Sequence, residues 1–442
     1  RPSTNYLIDV TVRFENRSTN TGTALQLPEH YFNTGTAAPM NAKDNGMYIY
    51  LCWYDGSDEE WIKPSWFDNK TLGCIPGTPR DTYKAGKDHG AVDGIHWTAV
   101  MNQFFIVATI PSEPAPRLVT VRREVDFSEV FASDDAKRIK FPFAYQSGLG
   151  YPTARINPGK EGAIEHKYTM YIGPKEYKTF EKLSVEMENE LDIVMDFNGF
   201  FGFFARALLR SMNGLHSWGL SYAWSIICIT IIMKILFWPL TNASTKSMKR
   251  MSQLQPQMNE IKVKYKDNPQ KMNQKTMEFM KENKVNPLGG CLPMLLQLPV
   301  FFGFFTMLRS AVELRGESFL WVCDLSSCDT VAVIGGFPIN PLPILMGVTM
   351  FFQASLTPPS PGMDPAQQKI MKYLPMMFVV FLYNFSSALT LYWTVQNLLT
   401  IIQTKLTKIA DIKKDGATGL VKGSGTGGTG GGRKKKKKNR PN

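Results

Sequence analysis

The run "SIICITIIMKILFWPLT", residues 225–241, is apolar enough for the interior of a bilayer except at Lys234, where an ammonium interrupts it. A charge at that depth costs on the order of 2.5 to 3.5 kcal/mol on insertion scales, so something must offset it. Lys234 stands seven residues before Thr241, roughly 10 Å along a helix, and from there a long side chain could snorkel to the interface. Thr230, one turn earlier, shares its helical face. The other apolar segments also carry polar groups at membrane depth: Gln297, Gln353, Asn384, Gln396, Asn397 and Gln403. Any one of these amides could simply join two helices. Their spread over all the segments, beside a cation with no intramembrane Asp or Glu to neutralise it, predicts a shared water-filled cavity whose chemistry is the attraction of an anionic ligand.

Five apolar segments must position these groups, at about 219–241, 292–311, 341–356, 373–388 and 389–406. Only the first two approach the ~20 residues that cross a normal hydrocarbon core. The third and fourth, "PLPILMGVTMFFQASL" and "YLPMMFVVFLYNFSS", are short and flank the Pro-rich "TPPSPGMDPAQQKIMK", so they are expected to thin the bilayer locally. Between the first and second segments, residues 242–290 carry ten Lys or Arg, whereas the loop "ELRGESFLWVCDLSSCDTVAVIGGFPIN" carries Arg315 alone. The basic loop is therefore assigned to the cytoplasm, and the N-terminal part to the outer side.

That basic loop reads as a helical hairpin over 243–288. Met248, Met251, Leu254, Met258, Ile261 and Tyr265 recur at three- and four-residue intervals, "KDNP" breaks the pattern, and Met272, Met277 and Met280 resume it. The methionines, with Met251, Met258, Tyr265 and Met277 as the candidate contact residues, make either an adaptable binding surface or the hairpin's own seam.

Of the 442 residues, 43% are hydrophobic, enough for more than one domain. Residues 1–190 hold short runs rich in β-formers, "YLIDVTVRF", "GMYIYLCWY", "WTAVMNQFFIVATI", "RLVTVRREVDF" and "KYTMYIG", several of them alternating as half-buried strands do; a β-sandwich is the economical reading. Residues 191–217 form an amphipathic helix, either lying in the headgroup region or buried as a connector. The sequence opens on Arg1 within a strand-like run and is expected to be the remainder of a longer chain.

The net charge of +12 gathers between Lys246 and Lys284 and in the tail, residues 408–442, which ends "GGRKKKKKNRPN". This Gly-rich segment reads as a flexible tether whose charge cluster would meet ribosomal RNA or anionic lipid, or remain solvated. Cys52 with Cys74, and Cys323 with Cys328, could each be disulfides or free thiols. The five histidines are scattered with no metal-ligand spacing, and no cofactor is expected. A phosphate-binding loop is lacking, since "PGKEG" at 158–162 has neither the upstream glycine nor the Ser or Thr. No catalytic constellation argues for a membrane enzyme, and no internal repeat favours the alternative of a channel or transporter.

"ILFWPLTNASTKSMKRMSQLQPQMNEIKVKY", "NPLGGCLPMLLQLPVFFGFF", "LPILMGVTMFFQ", "DPAQQKIMKYLPMMF" and "LYWTVQNLLTIIQ" closely resemble the YidC/Oxa1/Alb3 family of membrane protein insertases, densely across about 195–407. The preceding part, with "GPKEY" near its end, resembles more loosely the large periplasmic domain of Gram-negative members. The resemblance implies a polytopic α-helical membrane protein, with a five-helix core at 218–407 and an all-β periplasmic domain before it, in the inner membrane. It implies a hydrophilic groove open to cytoplasm and lipid, lined by Thr230 and Gln297, with Tyr392 and Trp393 touching substrate; Gln353, Asn384 and Gln396 join the groove candidates from the polar pattern of the apolar segments. Nascent membrane proteins would be the substrates, the lipid bilayer, the ribosome and the Sec translocon the partners. The family's groove cation is usually arginine; here Lys234, five residues before Pro239, keeps the charge and loses the planar fork.

Overall fold

The computed structural model describes the chain apart from residues 1–5, 19–22, 39–47, 70–74, 76, 89–93, 127–142, 160–161, 198, 284–291, 357–369, 371–372, 374–376 and 423–442. The chain divides into two compact units. One comprises Arg1–Ile226, Leu296–Asp329 and Phe385–Leu389; the other comprises Ile227–Leu295, Thr330–Asn384 and Thr390–Asn442.

Among the described residues the first unit carries β1 Leu7–Phe14, β2 Leu25–Leu27, β3 His30–Ala37, β4 Tyr50–Tyr54, β5 Glu59–Ile62, β6 Thr82–Lys84, β7 Trp97–Met101, β8 Phe105–Pro111, β9 Arg117–Glu124, β10 Phe143–Tyr151, β11 Ala154–Ile156 and β12 Ile164–Pro174. An antiparallel sheet of order β1-β12-β8-β7-β4-β5 and another of order β3-β10-β9-β6 form the sandwich the sequence predicts. Trp53 of the first sheet and Tyr83 of the second lie in the shared core and are joined by an indole-to-hydroxyl hydrogen bond of 3.2 Å. The single run expected over "WTAVMNQFFIVATI" is a hairpin instead. The Asn102 carboxamide oxygen accepts from the N–H groups of Phe104 and Phe105, at 3.0 and 2.7 Å, which turns the chain between β7 and β8.

Among the described residues this unit also carries α1 Pro64–Asp68, α2 Tyr177–Met187 and α3 Gly199–Ser217, with a 3-10 turn at Leu191–Met195. Helix α3 is amphipathic as expected. It buries Ala205, Leu208, Leu209 and Met212 and exposes Phe200 and Phe203, while Arg210 pairs with Glu181 of α2.

The remaining helices are α4 Tyr222–Leu236, α5 Trp238–Gln253, α6 Gln255–Lys264, α7 Pro269–Glu282, α8 Leu292–Ser310, α9 Pro341–Leu356 and α10 Ser387–Lys422; residues 377–382 are also helical. Within the first unit α3 meets α8 where Gly303 faces Phe204. A Cβ on Gly303 would stand 2.7 Å from the Phe204 Cβ, so only hydrogen fits. After α8, Ala332–Ile334 (β13) and Phe337–Ile339 (β14) form a small hairpin in the second unit.

The first apolar segment, expected as one continuous span, bends by 54° between α4 and α5. Pro239 has no N–H to return to the preceding turn, and its ring crowds that turn. The bent pair Tyr222–Leu236 with Trp238–Ser244 is together long and apolar enough to cross a membrane; among the described residues no single helix is, and α9 is a shorter apolar helix. The fourth segment ends earlier than expected: a turn at residues 383–386 precedes α10, which then runs on to Lys422 through the first part of the expected tether. Residues 423–442, with the basic cluster, lie outside the described residues. Among the described residues Cys52, Cys323 and Cys328 form no disulfide, and Cys74 lies outside the described residues.

The cytoplasmic hairpin has three helical pieces rather than two, because Pro256 starts a new helix at α6. Met258 and Met280 are buried against Leu254 and Phe279, which makes them the seam between α6 and α7. Met277 is 46% exposed. Tyr265, half-buried at the turn, carries the Lys264 and Lys271 ammoniums 5.8 and 5.7 Å from its ring centroid. The Met251 side chain lies outside the described residues.

Candidate functional site

Lys234 sits near the C-terminal end of α4, only 9% exposed, on the same face as the buried Thr230. Its Nζ donates to Thr400 Oγ1 at 2.8 Å. Thr400 in turn donates to the Gln396 carbonyl at 2.7 Å, which leaves its oxygen lone pairs turned to the ammonium. Among the described residues no carboxylate accompanies this cation. It is a buried charge held by one neutral hydroxyl, and so retains most of its capacity to attract an anion.

Helix α10 supplies the polar wall. Thr394, Asn397, Thr400, Gln403, Thr404 and Thr407 recur at three- and four-residue intervals, so they fall along one side of the helix. Asn397 donates to Thr349 of α9 at 3.2 Å, and Gln403 donates to Thr241 of α5 at 2.6 Å. Asn242, next to Thr241, has its carboxamide oxygen buried without a hydrogen-bond partner among the described residues. Such an acceptor calls for a water or a ligand donor.

The second unit carries Thr230, Lys234, Gln353, Tyr392, Trp393 and Gln396 on α4, α9 and α10, with Lys234 linked to α10 through Thr400 and α9 linked to α10 through Thr349 and Asn397. Tyr392 is buried, Trp393 and Gln396 are half-buried, and the Trp393 ring lies 5.6 Å from that of Phe378. Gln353 is half-buried near the end of α9. Asn384 lies in the turn between residues 382 and 387 and is exposed. Gln297 is half-buried on α8, within the first unit. Sequence reasoning missed Thr400 and Thr349, the hydroxyls that Lys234 and Asn397 actually use. The threonine periodicity of α10 was the available signal.

A β-rich periplasmic domain followed by a helical inner-membrane core is the class these features define. A family profile described as "YidC periplasmic domain" matches residues 3–210, and one described as "60Kd inner membrane protein" matches residues 214–414. The membrane protein insertase YidC of Endomicrobium trichonymphae is 34% identical over 374 residues, covering 84% of this chain and 67% of that one. That of Syntrophobacter fumaroxidans is 40% identical over 373 residues, covering 80% of this chain and 61% of that one. A solved structure described as an active YidC insertase with its first transmembrane domain resolved is similar at 21% identity and a TM-score of 0.37, covering 81% of this chain and 82% of that one. The chain belongs to the membrane protein insertase YidC family. It spans between about half and two thirds of the length of most of these curated relatives.

Proposed function

We propose that the chain inserts nascent proteins into the inner membrane through the polar site on α4, α9 and α10. The observation that carries this reading is Lys234, buried beside a single hydroxyl with no counter-charge among the described residues. A short hydrophilic segment of a client enters at Lys234, drawn by the charge, while its apolar segment partitions into lipid. Each buried CH₂ of that segment contributes about 0.8 kcal/mol, so no nucleotide is needed. Tyr392 and Trp393 offer aromatic contact to the passing chain, and the hairpin of α5, α6 and α7, with Tyr265 and Met277 at its surface, contacts the ribosome-bound client on the cytoplasmic side. The basic tail holds ribosomal RNA by counterion release, and the protein acts alone or beside the Sec translocon.

The test is photocrosslinking from position 230, one turn from Lys234, to ribosome-bound chains of a small single-span protein in reconstituted vesicles, with Lys234→Glu in parallel. Crosslinks that appear during insertion and weaken on charge reversal are expected. Insertion unchanged in Lys234→Glu, without crosslinks from position 230, would remove Lys234 from the mechanism.

A further inference from the structure

The β-sandwich holds two histidines nose to nose across its two sheets. His30 opens β3 in the four-stranded sheet, opposite Tyr151 of β10, and His166 lies on β12 in the six-stranded sheet, opposite Val12 of β1. Their Nε2 atoms are 3.1 Å apart. Phe14 and Tyr151 close the sides: the Tyr151 ring lies 3.9 Å from that of His166 and 5.6 Å from that of His30, and Phe14 stands edge-on to both. Both imidazoles remain half-buried rather than sealed, so a small solute can reach them.

The proton positions follow from the partners. His30 Nδ1 lies 3.1 Å from the Pro28 carbonyl oxygen, and a carbonyl only accepts, so Nδ1 carries the hydrogen and Nε2 presents a lone pair. A second-shell carbonyl of this kind is what orients a metal-binding imidazole. His166 then donates its Nε2 hydrogen to His30. Two imidazole nitrogens 2.0–2.1 Å from a tetrahedral ion stand roughly 3.3 Å apart, close to the separation found here.

We propose that His30 and His166 form a binding site for a divalent transition ion, Zn²⁺ or Cu²⁺, that pins the two sheets together at this end of the sandwich. On binding, the His166 proton moves from Nε2 to Nδ1, and the ion replaces the N–H···N bond with two N–metal bonds. Water completes the coordination. The site is separate from the groove and stands whether or not the insertase reading does.

The experiment uses the untagged full chain in detergent, stripped of metal with a chelator, and titrated with Zn²⁺ by calorimetry and thermal unfolding. One ion per chain and a rise in melting temperature are expected. His30→Gln and His166→Gln should each weaken binding more than about tenfold, the lower bound for loss of an outer-shell partner alone, while His96→Gln and His216→Gln leave it unchanged. Cu²⁺ bound in place of Zn²⁺ should give a paramagnetic resonance spectrum with two coordinated nitrogens, lost in His166→Gln. Equal Zn²⁺ affinity in all four variants, or no binding by the parent chain, overturns the proposal. Should a variant misfold, protection of His30 and His166 from acylation in the Zn²⁺-loaded parent chain decides the question, and modification at the metal-free rate overturns it.

Discussion

The Lys234 ammonium donates to the Thr400 hydroxyl at 2.8 Å, and that hydroxyl passes its own proton to the Gln396 carbonyl. A residue on α4 and one 166 positions later on α10 therefore share a relay that fixes where the cation points. Charge-assisted hydrogen bonds of this kind contribute about 1.5–3 kcal/mol.

Thr400→Val keeps the shape and removes the acceptor. It should lower stability against thermal unfolding in detergent by about 1.5–3 kcal/mol. Thr400→Ser, which retains the hydroxyl, should stay within about 1 kcal/mol of the parent chain. Equal melting temperatures for the valine and serine variants would mean the bond carries no weight.

The contact of Gly303 with Phe204 leaves no volume for a side chain, the Cβ position being 2.7 Å from the Phe204 Cβ. Gly303→Ala should cost about 1–3 kcal/mol as an overpacked site, and Gly303→Val more. Phe204→Ala combined with Gly303→Ala should recover part of the loss, a coupling that a double-mutant cycle reads directly.

Lys175 follows β12, is 4% exposed, and borders a pocket with Tyr50, Asp196 and Arg309. Burial pulls its amine down to about 8, Asp196 opposing that shift and Arg309 adding to it. The unfolded chain, whose lysine titrates normally, binds more protons between about pH 8 and 10.5. Stability should therefore rise with pH across that window. Lys175→Met should be more stable than the parent chain at pH 7 by on the order of 3 kcal/mol, with the difference vanishing towards pH 10.5. Parallel pH profiles for the two proteins would sink the argument.

Glu313 lies in the 3-10 turn after α8, outside the apolar helices, and accepts from the Asn213 carboxamide at 3.3 Å. Its second oxygen and the Asn213 oxygen are both buried without a hydrogen-bond partner among the described residues. Burial, the largest influence, raises its carboxyl above the ordinary value. A proton on the free oxygen would satisfy both atoms at once. The stability this acid supplies is complete below the unfolded carboxyl's titration and is lost as pH rises through the raised native value. Glu313→Gln, which carries a permanent donor there, should relieve on the order of 1–3 kcal/mol at neutral pH, read as a higher melting temperature that no longer falls with pH through that range.

How much of this was legible in the sequence depends on what each residue had to reveal. Lys234 and Thr230 stood out because a charge and a hydroxyl share one helical face in an apolar run, beside polar groups in every other apolar segment. The bend after Leu236 was written in Pro239, yet hydropathy alone reads through a proline. Strands β3 and β10 escaped notice because "HYFNTGTA" and "FAYQSGLGY" mix small and polar residues. They become strands by pairing with each other, around a register shift at Ser147 and Gly148, so tertiary context overrides weak propensity. The Thr400 partnership needed two helices far apart in sequence to be brought together, which no local pattern encodes. The His30 and His166 contact is similar, for neither histidine has a ligand spacing in the chain.

The pairing of β1 with β12 sets a timetable. Phe14 is matched to Ile164, so the first strand waits for 150 further residues before its only ladder partner exists. At roughly 5–20 residues per second of synthesis, that delay is about 8 to 30 s. Throughout it β1 has no neighbour in the sheet and β8 presents an open edge, the sort of surface that recruits stray strands. The domain is thus assembled like a zip closed from its far end, with closure falling before α4 is made. Pro174, the last residue of β12, marks the moment at which this domain ceases to be a hazard to itself.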